Sequence, residues 1–146
     1  MTKISVIIPV FNWEKTINRC LESLLNQNFL ESDYEIIVID DWSTDNTVNI
    51  INQIKNKSNI VSYYSQENIW ASKAKNFGVK LSNFEYIAFI YADVYVDRNW
   101  LKNIAKAFSN PDINACWWVI DNYNNSFFSN INHIVEFSEF YEQKPK

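Results

Sequence analysis

The sequence predicts an α/β fold with an open, mostly parallel sheet flanked by helices. Two observations carry this. Ile4-Ser5-Val6-Ile7-Ile8-Pro9-Val10 is a near-continuous apolar run, and the segment from Tyr34 to Ile39 is rich in Ile and Val. Strands buried on both faces read in that way. Between such runs the apolar residues recur at helical spacing. Strands alternating with helices imply right-handed crossovers and a parallel sheet.

The elements follow in order. The first strand runs from Ile4 to Val10. A helix is expected from Glu14 to about Gln27, because Ile17, Cys20, Leu21, Leu24 and Leu25 share one face. Tyr34 to Ile39 is the second strand. Ser43 or Asp45 can cap the next helix, which turns Val48, Ile51 and Ile54 inward. Ile60 to Tyr64 reads as a strand, Ala71 to Leu81 as a helix, Tyr86 to Ile90 as a strand and Trp100 to Phe108 as a helix. A fifth strand is expected over Ile113 to Ile120 and an amphipathic helix over Ile131 to Tyr141. The length fits one domain, 1–146, with no internal repeat or linker.

Composition narrows the function classes. Hydrophobic residues are 47% of the chain, enough to build a core. The net charge is -4, with Lys and Arg scattered, which argues against nucleic acid as a partner. Cys20 and Cys116 have no metal-type spacing and read as reduced buried thiols. The start of the chain lacks a signal-peptide pattern, and its longest apolar stretch, Ile4 to Phe11, is too short to span a bilayer.

In a doubly wound sheet, ligands bind beyond the carboxyl ends of the strands, where the strand order reverses. Three such ends carry distinctive residues: Pro9-Val10-Phe11-Asn12, Asp40-Asp41 and Tyr91-Ala92-Asp93. With strand order 3-2-1-4 they would converge. Carboxylates gathered there repel unless a cation or hydrogen-bond donors compensate. A divalent metal with a nucleotide diphosphate would supply both, and Lys73 and Lys75 open the third helix nearby. Each piece alone also has a structural reading: Asp-Asp before Ser-Thr-Asp as turn and cap chemistry, Lys75 as a solvated helix residue. No G-x-G-x-x-G, P-loop or Ser/His/Asp arrangement is present, and the one histidine, His133, reads as structural.

Glycine is nearly missing. The chain holds one, Gly78, against six tryptophans, where average usage would give roughly ten glycines. Trp42 and Trp70 stand in tight loops after strands, where a residue without Cβ is favoured.

Taken together, these segments resemble family 2 glycosyltransferases of the GT-A (Rossmann-like) fold. The matching pieces are Ser5 to Asn12, Cys20 to Gln27, Glu35 to Asp45, Asn68 to Asn76 and Phe89 to Asp93. The resemblance implies transfer of a sugar from a nucleotide diphosphate sugar to a carbohydrate or lipid-linked acceptor, with inversion at the anomeric carbon. It implies that Phe11 and the backbone near Pro9 contact the nucleoside, that Asp41 reads the base and that Asp40 supports its loop. Lys75 would approach the nucleotide or its phosphates. Asp93 would hold Mg²⁺ or Mn²⁺ as part of a D-x-D-type motif, whose first acidic position is Tyr91 here. The acceptor portion and catalytic base are expected beyond Lys146, so the sheet is expected to be incomplete at the C-terminus. The 1–146 region is then the N-terminal nucleotide-sugar-binding portion and inactive alone. The family's commonest role, polysaccharide synthesis for the cell envelope, implies a cytoplasmic location, with membrane association through missing segments.

Two rivals stay open. A nucleotidyltransferase shares a similar half-fold, but would show a Gly-rich basic loop where Asn12-Trp13-Glu14-Lys15 stands. A non-catalytic nucleotide-binding fragment is the other. The family pattern has glycine at positions 42 and 70, and glycine is common at 13, 117 and 118, whereas Trp100 matches an aromatic position. UGA is read as Trp in some genetic codes and as Gly in others. A UGA codon meaning glycine in the organism of origin would account for Trp13, Trp42, Trp70, Trp117 and Trp118 together. The richness in Asn, Ile and Lys fits an AT-rich genome.

Overall fold

β1 (Ile4–Val10) is buried along its whole length, because it lies between two other strands and is covered on both faces. Among the described residues the sheet has four strands in the order β3-β2-β1-β4, and each pairing between them is parallel. The computed structural model describes residues 2–67 and 71–115. β2 (Tyr34–Asp40) pairs with β1 from Ile4↔Tyr34 to Val10↔Asp40. β3 (Val61–Ser65) extends the sheet beyond β2, and β4 (Tyr86–Phe89) lies on the other side of β1. The 3-2-1-4 order, the condition for the three strand ends to converge, is the order found.

The helices supply the covering. α1 (Ile17–Leu25) buries Ile17, Cys20, Leu21 and Leu24, with Leu25 half-buried at the margin of that face. It starts three residues later than its apolar pattern suggests. Residues 14–16 form a turn in which the Trp13 carbonyl accepts the N–H groups of Thr16 and Ile17. α2 (Thr47–Lys55) buries Thr47, Ile51 and Ile54, and Val48 is half-buried. α3 (Ala71–Leu81) has the bounds its sequence predicts. Gly78 faces Ile7 of β1 so closely that a Cβ there would lie 2.5 Å from an Ile7 methyl. α4 (Trp100–Ala107) begins with the buried Trp100. A single 3-10 turn at Glu31–Asp33, with no periodic signature in the sequence, leads into β2.

The described residues fall into two units divided between Asn103 and Ile104. All strands and α1–α3 belong to the first. In the second, Phe108 closes the end of α4 by donating to the Ile104 carbonyl, and Ile113 donates to Asn110 in a turn. Residues 113–115 are not strand, so the expected fifth strand does not begin at Ile113. The remainder of that segment, the expected helix over Ile131 to Tyr141, and Trp70, Cys116, Trp117, Trp118 and His133 lie outside the described residues. No helix among the described residues is long and apolar enough to cross a membrane.

The amino edge of the sheet is closed by its own polar groups. Both Glu35 oxygens are engaged: Oε1 by the Ser5 hydroxyl at 2.6 Å and the Asn83 N–H at 2.7 Å, and Oε2 by the Asn83 amide at 2.7 Å. This network ties β1, β2 and the α3–β4 connection together.

Candidate functional site

Four parallel strands bring Val10, Asp40, Ser65 and Phe89 to one edge of the sheet. The chain runs from β1 outward to β2 and β3, then crosses back to β4. The order thus reverses between β1 and β4, the position at which open α/β sheets bind ligands. Each sequence-predicted site residue of the first unit lies at this edge, except Lys75, which comes from the second turn of α3.

The loops after β1 and β2 are clasped to each other. Asn12 has φ 58°, a left-handed conformation that Asn tolerates better than most residues. Its N–H donates to the Ser43 hydroxyl at 2.9 Å, and its side-chain oxygen accepts the Thr44 N–H at 2.8 Å. The Trp13 N–H donates to the Thr47 hydroxyl at 2.8 Å. The Glu14 N–H donates to Asp45 at 3.1 Å, while the Glu14 carboxylate accepts the Asn46 N–H at 3.0 Å. Asp45 accepts the Thr47 N–H at 3.0 Å. Slight desolvation opposes ionisation of Asp45, but hydrogen bonds from Thr47 and the Glu14 N–H outweigh it and hold its pKa below the usual value. The N-cap of α2 is Asn46, whose side chain makes no capping hydrogen bond, rather than either expected residue; Asp45, one position earlier, contributes to the helix start only its contact with the Thr47 N–H. Ser43, the other, is turned back to Asp40.

That turn is tight. The Asp40 carboxylate accepts the Ser43 N–H at 3.1 Å, the Ser43 hydroxyl at 2.5 Å and the Tyr63 hydroxyl at 3.0 Å. Burial and the Asp40 carboxylate push the Tyr63 hydroxyl pKa up. The Asp41 N–H donates to Val10, extending the β1–β2 ladder, and its carboxylate accepts the Gln66 amide at 3.1 Å. Trp42 follows at φ 73°, with 56% of its surface exposed. Left-handed backbone is rare for a bulky residue and natural for glycine. Phe11, at the end of β1, is 46% exposed and stands beside this clasp.

On the other side of the switch point, Tyr91 and Asp93 are exposed and Ala92 is buried between them. The Cys20 thiol donates to the Tyr91 carbonyl at 3.7 Å. Burial, and then the negative charge of Asp93, push the Cys20 thiol up to about 12. Lys75 Nζ donates to the Tyr91 hydroxyl at 3.2 Å and lies 4.7 Å from the Tyr91 ring centroid. Among the described residues, no group of three His, Cys, Asp or Glu side chains comes together as a ready metal cage. Asp40 is already committed to three donors, which leaves Asp93 as the exposed carboxylate on the β4 side.

Sequence reasoning placed the acidic and aromatic residues, and Asn12 with them, but gave no role in the clasp to Asn12 or Glu14 and missed Tyr63 and Gln66, which hold Asp40 and Asp41. Only Asn12 carried a signal, since Asn at a strand end tolerates the left-handed turn.

The fold and this edge define an open parallel α/β protein whose strand order reverses between β1 and β4. The profile of the glycosyl transferase family 2 matches residues 5–146, and the chain belongs to that family. It is 37% identical over 106 residues to the poly(ribitol-phosphate) beta-N-acetylglucosaminyltransferase TarS of Staphylococcus aureus, covering 72% of this chain and 18% of that protein. It is 44% identical over 96 residues to a poly(ribitol-phosphate) beta-glucosyltransferase of Bacillus spizizenii, covering 64% of this chain and 15% of that one. The chain thus spans less than a fifth of the length of either relative. Among solved structures, S. aureus TarS 1-349 in complex with UDP-GlcNAc superposes with a TM-score of 0.68 at 34% identity, over 74% of this chain and 31% of that one. The mannosyltransferase PcManGT from Pyrobaculum calidifontis, in complex with GDP-Man and Mn²⁺, shares the fold with a TM-score of 0.71 at 22% identity, over 75% of this chain and 33% of that one.

Proposed function

We propose that this chain is the donor-binding portion of a glycosyltransferase that moves a sugar from a nucleotide diphosphate sugar to a hydroxyl of a polymeric or lipid-linked acceptor, with inversion. The observation that carries this is the convergence of Phe11, Asp40–Asp41 and Tyr91–Asp93 on one sheet edge, in a chain of glycosyl transferase family 2. The relative TarS, whose structure holds UDP-GlcNAc, supports a uridine or similar nucleotide as the donor's handle. In this reading Phe11 and the backbone at Pro9 pack on the nucleoside, and Asp41 accepts hydrogen bonds from the base. Asp40 holds the loop rather than the ligand, because its oxygens are taken by Ser43 and Tyr63. Lys75 carries positive charge toward the diphosphate.

The donor set fits a divalent cation as a one-carboxylate site at Asp93, since Mg²⁺ takes one or two carboxylates and fills its shell with phosphate oxygens and water. When bound, Mg²⁺ or Mn²⁺ would offset the charge that develops on the departing nucleotide diphosphate.

Glycine at positions 13, 42, 70, 117 and 118 belongs to the same proposal. The left-handed backbone of Trp42 supports it at the position nearest Asp41. Calorimetry with UDP, GDP and dTDP in Mn²⁺ tests the donor site. Nucleotide binding that weakens in Asp41→Ala supports the reading. No binding of any of the three by the chain with glycine at those five positions overturns it.

A further inference from the structure

Tyr91 stands two residues before Asp93, where an acidic partner would complete a two-carboxylate cation site. The phenol instead meets an ammonium: Lys75 Nζ lies 3.2 Å from its hydroxyl, 4.7 Å from its ring centroid and 5.6 Å from the Phe89 ring centroid. Two aromatic faces and one hydrogen bond therefore hold this cation at the end of β4. Tyr91 is 53% exposed, and its backbone carbonyl accepts the buried Cys20 thiol. The pair is thus anchored on its inner side and open on its outer side.

From this geometry we infer that Lys75 and Tyr91 form a phosphate clasp that binds the donor's diphosphate directly, so that nucleotide affinity does not require a divalent cation. The inference rests on the donor-site reading above and deepens it. The chemistry is complementary. An ammonium has three donors, one of which goes to the Tyr91 oxygen. With that oxygen accepting from Lys75, the phenol's own O–H is directed onward as a donor to a phosphate oxygen. Ammonium–phosphate hydrogen bonds are charge-assisted, and they are among the stronger polar contacts. A second carboxylate at position 91 would instead repel the diphosphate unless a cation lay between them. Asp93 remains, and one acidic group beside one ammonium leaves the β4 edge close to neutral rather than strongly negative.

The test is calorimetry of UDP, GDP and dTDP in turn against the chain carrying glycine at positions 13, 42, 70, 117 and 118, in Mn²⁺ and in EDTA. Affinity in EDTA within about tenfold of that in Mn²⁺ is expected. Lys75→Ala should lower the EDTA affinity by about tenfold or more, the size of a lost charge-assisted contact. Tyr91→Phe should lower it by less, because the ring remains. Tyr91→Asp should make binding depend strictly on Mn²⁺. Thermal melts check that each variant is folded. Binding in Mn²⁺ that disappears in EDTA, or an EDTA affinity untouched by Lys75→Ala, overturns the clasp while leaving the donor site standing. No binding in either condition overturns both.

Discussion

Asp40 Oδ1 accepts both the N–H and the hydroxyl of Ser43, at 3.1 and 2.5 Å. This pair closes a turn over the two residues between them. Asp41 enters the turn with its N–H still bonded to β1, and Trp42 must then take φ 73° for the chain to return to Ser43. The strained position lies inside the turn that the Asp40–Ser43 contact closes. The indole itself points largely into solvent.

Trp42→Gly should therefore stabilise the fold. Left-handed backbone costs a residue with Cβ roughly 1–2 kcal/mol. Glycine's greater unfolded-state freedom returns roughly 0.5–1 kcal/mol of that. A gain on the order of 1 kcal/mol should shift the urea midpoint upward with an unchanged slope. Nucleotide affinity should rise as well, since the loop carries Asp41. A midpoint that falls would show that the indole packs usefully and that the turn suits tryptophan.

The coding DNA gives a sharper outcome. UGA is expected at codons 13, 42, 70, 117 and 118, and UGG at codon 100, where Trp100 is buried at the start of α4. Protein from the native organism should have a mass lower by five Trp-to-Gly differences. UGG at all six positions sinks the idea.

The Asp40 cluster predicts coupled energetics. Asp40 is buried, so Asp40→Ala strips a charged acceptor from Ser43 and Tyr63 and should cost about 2–3 kcal/mol. Tyr63→Phe alone should cost about 1 kcal/mol. In the double variant the Tyr63 effect should vanish, because its partner is gone. Additive losses in chemical denaturation would mean that the 3.0 Å contact contributes nothing.

The elements were legible because their patterns are long. α3 has the predicted bounds, and β1 and β2 begin where their apolar runs begin. The β1–β2 clasp was not legible. Asn12, Glu14, Ser43 and Thr47 meet across more than thirty residues of sequence through hydrogen bonds that leave no periodic trace. The resemblance separates Asp40, as support of the loop, from Asp41, but the partners that differ, Ser43 and Tyr63 for one and Gln66 for the other, carry no sequence signal. Tyr91 reads as a lost carboxylate, and its contact with Lys75 has no signature in the sequence. Gly78 needed the α3–β1 distance to be understood.

Alkaline pH should destabilise the chain in a defined window. Burial, with a smaller contribution from Glu31, raises the Tyr34 hydroxyl from 10.0 to about 12, and its proton is donated to the Leu24 carbonyl at 3.1 Å. The buried Cys20 thiol is likewise raised from 9.0 to about 12. Both groups ionise more easily unfolded than folded. Their contribution is complete below pH 9 and is lost as pH climbs from about 9 to about 12. The urea midpoint should therefore fall steadily across that interval. Cys20→Ala should flatten the lower part of the fall and Tyr34→Phe the upper part. A midpoint independent of pH up to 12 would contradict the burial of both groups.

Gly78→Ala should destabilise, although alanine is the better helix former by about 1 kcal/mol. Gly78 lies inside α3 without positive φ, so backbone freedom does not explain it. Close approach does: an added Cβ would sit 2.5 Å from the Ile7 Cγ2 methyl. That methyl is fixed to the Cβ of a fully buried residue on the central strand and cannot swing away. Either α3 lifts or β1 shifts, and overpacking of this kind costs typically 1–3 kcal/mol. Trimming the strand side should rescue it. In Ile7→Ala the Gly78→Ala substitution should become neutral or favourable, as read from denaturation midpoints of the four proteins in the cycle. If Gly78→Ala stabilises the parent chain outright, α3 does not lie as close to β1 as the distance to Ile7 requires.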